Sequence, residues 1–332
     1  MENTTIAIAV SGIAFLLTVI WGDPFIRLLK HWKVGKIIRV DDLPESHREK
    51  MNVPTMGGLM FILPVTLLTV ILNAVTLFGS RVFGMSILVP LACMWGFAII
   101  GAIDDWEGIR GPRRGIGMSS KVKLILQIIV ALVIAYMLRY QLRVPEMIWP
   151  VTGGYITIGW PYVIIAAFII VAMANAVNFT DGIDGLAGMI SLTAFGVYGI
   201  VAMTQGQIYL ARFCFCIVGA LAGFLWFNVK PAQLFMGDTG SQALGATLAV
   251  VALMTGQWLW LPLIAIIPTA EMLSVVIQVI YFKATGGRRV FKKTPIHHHF
   301  EMIGWEENQI VMRFWLIELI GAMIGLSMTF IG

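Results

Sequence analysis

Charge is scarce in this chain. Only 12% of its 332 residues are Asp, Glu, Lys or Arg, about half the roughly 25% of a soluble domain. No polar stretch is long enough for a separate soluble domain, which needs at least ~50 residues. Cysteine is scarcer still. Cys93, Cys214 and Cys216 all lie inside apolar runs, which excludes a disulfide framework. Cys214-Phe-Cys216 has no metal-ligand company, so these are small core residues. Before the first apolar run there are no cations; Arg27 and Lys30 come after it. A cleaved leader would carry its charge first, so the expectation is an uncleaved first helix with its N-terminus outside.

Apolar residues are abundant, 58% of the chain, and the mean hydropathy is +0.86. Runs of ~20 apolar residues recur, the length that spans a bilayer. The expected fold is an all-α polytopic membrane protein, one integral-membrane domain over residues 1–332. Ten segments can be marked, at about 4–22, 56–78, 85–103, 122–138, 161–177, 185–203, 209–227, 240–256, 258–282 and 310–331. Pro262 and Pro268 fall inside the ninth. Proline removes a backbone donor, so this helix should be kinked or broken.

Ten spans place both termini on one side, and the cations choose which. The odd-numbered loops hold Arg27, Lys30, Lys33, Lys36, Arg39, Arg48 and Lys50, then Arg110, Arg113, Arg114, Lys121 and Lys123, then Lys230. They continue with Lys283, Arg288, Arg289, Lys292 and Lys293, with Arg313 just beyond. The even-numbered loops hold only Arg81, Arg139, Arg143 and Arg212. Nineteen of 23 cations on one side make that side cytoplasmic and both termini external. The net charge of +5 then belongs to the membrane and to acidic substrates, with no role for nucleic acid. On the outer side, Trp149, Tyr155, Trp160 and Tyr162 read as interface anchors. Ile156-Thr-Ile158 after Gly153-Gly154 could be one arm of a small hairpin.

Every dense polar cluster falls on the cytoplasmic side. Pro54-Thr-Met-Gly-Gly58, preceded by Lys50, opens the second helix. Its glycines could offer N–H groups to an anion or permit close helix packing. Asp104-Asp105 ends the third helix, where carboxylates oppose the helix dipole and repel one another unless a cation offsets them. A role as Mg²⁺ ligand or base would explain them. Asn175, Asn178, Asp181 and Asp184 recur every three residues, but Gly182 and Gly185 indicate a bend in place of a continuous helix. Asn228 and Lys230 precede Phe235-Met-Gly237-Asp238-Thr-Gly240. Asp238 is a helix cap or a metal ligand. Phe235 offers a ring for stacking, and Gly237 a bare backbone for close approach.

The last cluster is an internal loop, Pro295-Ile-His297-His298-His299-Phe-Glu301, behind a basic run. Three adjacent histidines without cysteine suit one zinc poorly; imidazoles and cations around a phosphate suit the composition better. Glu271 and Gln278 share a face of the ninth helix, and a membrane-embedded carboxylate is a functional candidate by default. Together these residues describe one cytoplasm-facing site of hard oxygen ligands and cations. They point to Mg²⁺, a pyrophosphate and phosphoryl transfer to something in the membrane.

Five motifs, in order from about residue 44 to 316, carry a resemblance. They are Pro54-Thr-Met-Gly-Gly, Asp104-Asp105, Asn175-Ala-Val-Asn-Phe-Thr-Asp-Gly-Ile-Asp-Gly, Phe235-Met-Gly-Asp-Thr-Gly-Ser and Pro295-Ile-His-His-His-Phe-Glu. The chain resembles the polyprenyl-phosphate N-acetylhexosamine-1-phosphate transferase superfamily. Gly304-Trp305-Glu306 and Arg313-Phe-Trp315 resemble its phospho-N-acetylmuramoyl-pentapeptide transferase branch. The resemblance implies transfer of a phospho-sugar-peptide from UDP-N-acetylmuramoyl-pentapeptide to undecaprenyl phosphate, giving lipid I and UMP with Mg²⁺. It further implies a bacterial inner-membrane location, a ninth helix broken around a lipid groove, and a homodimer.

By the same resemblance, Asp238 binds Mg²⁺. Asp104 acts on the lipid phosphate as base or nucleophile, with Asp105 close by, and His297 serves the catalytic centre. Lys50, Asp181, Asp184, Asn228, Phe235, Gln278 and His298 hold the nucleoside and its neighbours, and Lys123 meets phosphate. Asn175, Asn178, Gly237 and His299 complete the expected substrate-binding set. Two positions depart from the family's pattern: Gly108 stands where a lysine is usual, leaving Arg110 as a possible replacement, and Asn52-Val53 stands where Gly-Thr is usual. The alternatives are a sister transferase using UDP-N-acetylglucosamine and, from another class, an ion-coupled transporter built on Glu271 and the broken helix.

Overall fold

The computed structural model describes residues 2–35, 53–79, 85–111, 117–149 and 152–330. Lys50 lies outside these residues. The long helices are α1 (Glu2–His31), α2 (Gly58–Gly79), α3 (Met85–Arg110), α4 (Ser120–Tyr136), α5 (Pro161–Thr180), α6 (Leu186–Thr204), α7 (Ile208–Asn228) and α8 (Gly237–Met254). They are followed by the short α9 (Leu261–Ile264), then α10 (Ile266–Ala284), the short α11 (Ile296–Met302) and α12 (Glu307–Met328). Among the described residues, eight helices are long and apolar enough to cross a membrane. The protein is thus an all-α polytopic membrane protein. Many large apolar side chains point outward, among them Ile125, Ile129, Phe168, Ile280, Ile320 and Met323. Such an exterior suits lipid and not water.

The packing is organised around α8. Every residue of this helix except Asp238 is buried, and it packs mainly against α3 and α5. Small residues make that possible. A Cβ on Gly101 of α3 would lie 2.1 Å from the Asp238 carbonyl oxygen, and one on Gly245 2.2 Å from that of Met173 in α5. A Cβ on Gly58 of α2 would lie 2.3 Å from Cα of Gly240. The tight contacts at Gly101 and Gly58 draw two helices, α3 and α2, onto the first turn of α8.

The ninth apolar segment is broken, as its prolines imply. The break falls at Ala265, between α9 and α10. Pro262 and Pro268 themselves sit in the first turns of α9 and α10, where a helix has no use for the missing N–H. The carboxylate of Glu318, buried on α12, accepts the Ile267 N–H at 3.0 Å and caps the restarted helix. The small hairpin forms beside the start of this segment, where the Ile148 N–H donates to the Gly256 carbonyl at 3.0 Å and the Trp258 ring N–H to that of Glu146 at 2.8 Å. Strands β1 (Met147–Ile148) and β2 (Tyr155–Ile156) are antiparallel, with Met147 opposite Ile156.

Candidate active site

The carboxylates of α3 and α8 meet where Gly101 lets the two helices touch. Asp105 is half-buried against the start of α8. It accepts the N–H of Asp238 at 3.2 Å, the N–H of Thr239 at 3.0 Å and the Thr239 hydroxyl at 2.7 Å. A carboxylate misplaced on its own helix thus caps the next one, where the dipole favours it. Asp238 therefore does not cap α8. Its carboxylate turns sideways instead, with Oδ1 accepting from Asn178 at 2.9 Å and Oδ2 from Lys123 and Gln242, each at 2.8 Å. Gly237 has a φ of +71°, and a Cβ there would meet Asp105 and Thr55, each at 2.6 Å. The close approach that glycine permits is filled by these side chains.

Lys123 ties the cluster together. Its ammonium also reaches Asp104 Oδ2 at 3.3 Å, and Asp104 Oδ1 accepts the Met118 N–H at 2.8 Å. Lys123 is thus the cation that offsets the end of α3. Arg110 does not replace the absent lysine there: its guanidinium lies over Trp106 and donates to the Trp32 carbonyl. A chain of amides backs the site. Asn178 donates to Ser241, Gln127 donates to Gln242, and Asn175 donates to Gln127. Gln127, Ser241 and Gln242 escaped the sequence reading, although a signal existed. Gln127 stands four residues after Lys123 and Gln242 four after Asp238, the spacing that shares a helix face.

The donor set fits a hard divalent cation that keeps most of its own shell. A carboxylate offers roughly four lone-pair sites. Donors occupy three on Asp238 and two on Asp104. Two carboxylates on one ammonium leave net negative charge. Mg²⁺ bound by one or two carboxylates, with water and phosphate completing the shell, matches that remainder. A closed cage does not, for among the described residues no three His, Cys, Asp or Glu side chains are grouped to hold a metal.

A groove of about 810 Å³ leads away from this cluster. Its polar end is Lys123, Gln127, Asn175 and Asn178; its walls are Leu124, Ile128, Leu132, Ile164, Phe168 and Met272. Those walls belong to α4, α5 and α10, facing the surrounding lipid.

The remaining candidates form a second group beside the α5–α6 turn. After Thr180 the helix stops, and Gly185 takes a φ of +82°, so the Asn/Asp repeat does bend. Asp184 accepts the Ala232 N–H at 3.2 Å, and Asp181 ends α5. Asn228 is buried and occupied by the framework, accepting from Gly185 N–H at 3.1 Å and donating to Leu234 carbonyl at 2.8 Å. The Phe235 carbonyl accepts the Gly57 N–H, and that of Met236 the Gly58 N–H, both at 2.9 Å. Gly57 and Gly58 therefore serve close packing, and their N–H groups are not available to an anion.

Gln278 accepts the N–H groups of Val290 and Phe291 at 3.1 and 3.0 Å, which holds the basic loop against α10. Beside it, Lys283, Arg289, Lys292 and Lys293 line a cleft of about 670 Å³. The three histidines go separate ways: His297 Nδ1 to Glu271, His298 Nδ1 to Glu301, and His299 Nδ1 accepting from the Lys292 N–H. Burial pulls the His298 imidazole below its ordinary pKa, against the raising effect of Glu301.

With this geometry in view, the likenesses are direct. The profile of glycosyl transferase family 4 matches residues 87–256, the span that holds Asp104, Lys123, Asn178 and Asp238. A phospho-N-acetylmuramoyl-pentapeptide-transferase of Chloroflexus aurantiacus is 43% identical over all of this chain and 91% of its own length. One from Listeria monocytogenes is 39% identical over 96% of each. The chain belongs to the phospho-N-acetylmuramoyl-pentapeptide-transferase family. Within this family's frame, the two groups of residues meet at the end of α5. Asn178 binds Asp238, and Gly182, four residues on, covers His297.

Proposed function

We propose that this protein transfers phospho-N-acetylmuramoyl-pentapeptide from UDP-N-acetylmuramoyl-pentapeptide to undecaprenyl phosphate, releasing UMP and forming lipid I, the first membrane step of peptidoglycan synthesis. The observation that carries the reading is the apolar groove ending on Lys123, Asn175 and Asn178, beside Asp104 and Asp238. A polyprenyl chain would lie along the groove walls, with its phosphate delivered to the ammonium of Lys123. An oxygen of that phosphate attacks the sugar-bearing phosphorus of the donor. One P–O bond forms, the P–O bond to UMP breaks, and UMP leaves with the electron pair. Little covalent work falls to the protein; it aligns two phosphates and offsets their charge. The acceptor phosphate has a second pKa of about 6, so Asp104 has at most a small deprotonation to perform and a direct displacement needs no aspartyl intermediate.

Mg²⁺ would be held by Asp238 with Asp104 near, and it supplies neutralisation of the pyrophosphate charge. Ten spans with both termini outside, the site on the cytoplasmic face of a bacterial inner membrane, and assembly as a homodimer complete the proposal. The one-sided distribution of lysine and arginine supports that orientation. Purified protein in detergent, given polyprenyl phosphate and each of two donors, tests the reading. UMP release from the muramoyl-pentapeptide donor is expected. Lipid product from UDP-N-acetylglucosamine alone would overturn it in favour of a sister transferase.

A further inference from the structure

The two oxygens of Asp238 are loaded unequally. Oδ2 accepts from Lys123 and from Gln242, each at 2.8 Å, so both of its lone pairs are occupied. One N–H reaches Oδ1, that of Asn178 at 2.9 Å, which leaves that oxygen a lone pair. The donor from Gln242 is the end of a chain. Gln242 is fully buried on α8, and its own oxygen accepts the Gln127 N–H at 2.9 Å. Gln127, 1% exposed on α4, accepts the Asn175 N–H at 3.0 Å, and the same Asn175 nitrogen donates to the Val171 carbonyl at 2.8 Å.

The direction of this chain is not arbitrary. An ionised carboxylate only accepts, so Gln242 must turn its amide nitrogen to Asp238 and its oxygen away. Gln127 must then turn its nitrogen to that oxygen, and Asn175 its nitrogen to Gln127. Three amide dipoles therefore point their positive ends toward Asp238, each strengthening the next. Lys123–Asp238 and Gln127–Gln242 are both pairs 115 residues apart, successive rungs one turn apart between α4 and α8. The rungs differ in commitment. Lys123 is divided between Asp104 and Asp238. Gln242 donates to Asp238 at the same oxygen and is bound on its other side by Gln127. Gln127 lies at the polar end of the groove, with its oxygen and an N–H occupied by neighbours.

We propose that Gln242 and Gln127 are positioning residues: they hold Oδ2 of Asp238, leave Oδ1 open for a divalent cation, and keep the carboxylate in place when the Lys123 ammonium turns to the acceptor phosphate. The last clause rests on the transferase reading above. Neither glutamine touches substrate or cation in this role. Simple helix glue would make a different demand on the pair, since two apolar side chains of similar size could replace it without loss.

The experiment uses the full-length protein in detergent. It reads the unfolding midpoint across a Mg²⁺ titration without substrate, and the Mg²⁺ dependence of UMP release. In the wild type, Mg²⁺ should raise the midpoint, as any ligand of the folded state does. Gln242→Leu removes the donor from Asp238 and leaves the Gln127 N–H unpaired. Its midpoint without Mg²⁺ should fall, and both readouts should need roughly 10-fold more Mg²⁺, the loss of one hydrogen bond to a charged group. Adding Gln127→Leu removes the unpaired partner, so the midpoint should recover while the 10-fold Mg²⁺ defect stays. If Gln242→Leu alone does not fold, the double variant carries the test. A Mg²⁺ response in either variant equal to wild type would overturn the proposal. So would a double variant that does not fold, or a wild-type midpoint indifferent to Mg²⁺. Wild-type protein that releases no UMP from the muramoyl-pentapeptide donor would instead overturn the transferase reading, and the substrate-free titration would still decide the role of the glutamines.

Discussion

Two carboxylates in this protein cap helices to which they do not belong. Asp105 reaches from α3 to the start of α8, and Glu318 from α12 to the restart of α10. Both obey one rule: a helix start exposes donors, and an anion there is favoured. They differ in what surrounds them. Asp105 takes three donors and lies against the Asp104–Lys123–Asp238 cluster. Glu318 takes the Ile267 N–H, and its Oε1 has no partner. The first cap fixes the backbone of Asp238 and so aims its carboxylate at Lys123 and Asn178. The second fixes the break in the ninth apolar segment. A buried carboxylate is therefore not by itself a sign of chemistry; its neighbours decide.

This contrast can be broken from either end. The largest effect is expected from Asp105→Ala. It strips three donors of their acceptor, which should destabilise the fold by about 1–3 kcal/mol. It also frees Asp238, so UMP release should fall at least ~100-fold, as when a positioned catalytic group is misplaced. Lys123→Met comes next. It leaves Asp104 and Asp238 facing each other without their shared cation, and turnover should drop by roughly 100-fold, the weight of one electrostatic contact at a reacting phosphate. Stability should change much less than in Asp105→Ala, and a denaturation series checks both.

Glu318→Ala should act the other way round. It should cost about 1–3 kcal/mol through the unpaired Ile267 N–H, with turnover per folded molecule within a few-fold of wild type. Glu318→Gln, which keeps an acceptor for Ile267, should fall within ~1 kcal/mol of wild type. A Glu318→Gln variant that folds normally but releases no UMP would erase the distinction between the two caps.

Much of the architecture was legible because bilayers impose a length. Segments placed at about 161–177, 185–203 and 209–227 correspond to α5 (Pro161–Thr180), α6 (Leu186–Thr204) and α7 (Ile208–Asn228). Pro262 and Pro268 announced the broken ninth segment, although the break itself falls on Ala265 between them. The first helix was read too short. It continues past residue 22 to His31, because charge ends a membrane-buried stretch but does not end a helix.

The site was legible as a set of motifs and illegible as a set of pairs. Lys123 was expected at phosphate, and its ion pairs with Asp104 and Asp238 had no local signature, since 115 residues separate it from Asp238. Glu271 was visible as a suspicious charge, yet its attachment to His297 depends on how a loop folds back onto α10. Neighbours on a helix point ~100° apart, so Asp104 and Asp105 take different partners. The helix turns them toward Lys123 and toward α8, respectively, and only packing at Gly101 decides that.

The proposed metal-dependent transfer to a lipid phosphate rests on Asp238, aimed by Asp105 and held by Asn178 and Lys123. Asp238→Asn tests it most directly, because the amide preserves size and one acceptor oxygen while removing the charge. UMP release would be followed across a Mg²⁺ titration, alongside the unfolding midpoint. The account predicts a folded protein with no Mg²⁺-dependent UMP release. Near-normal turnover in that variant would contradict it.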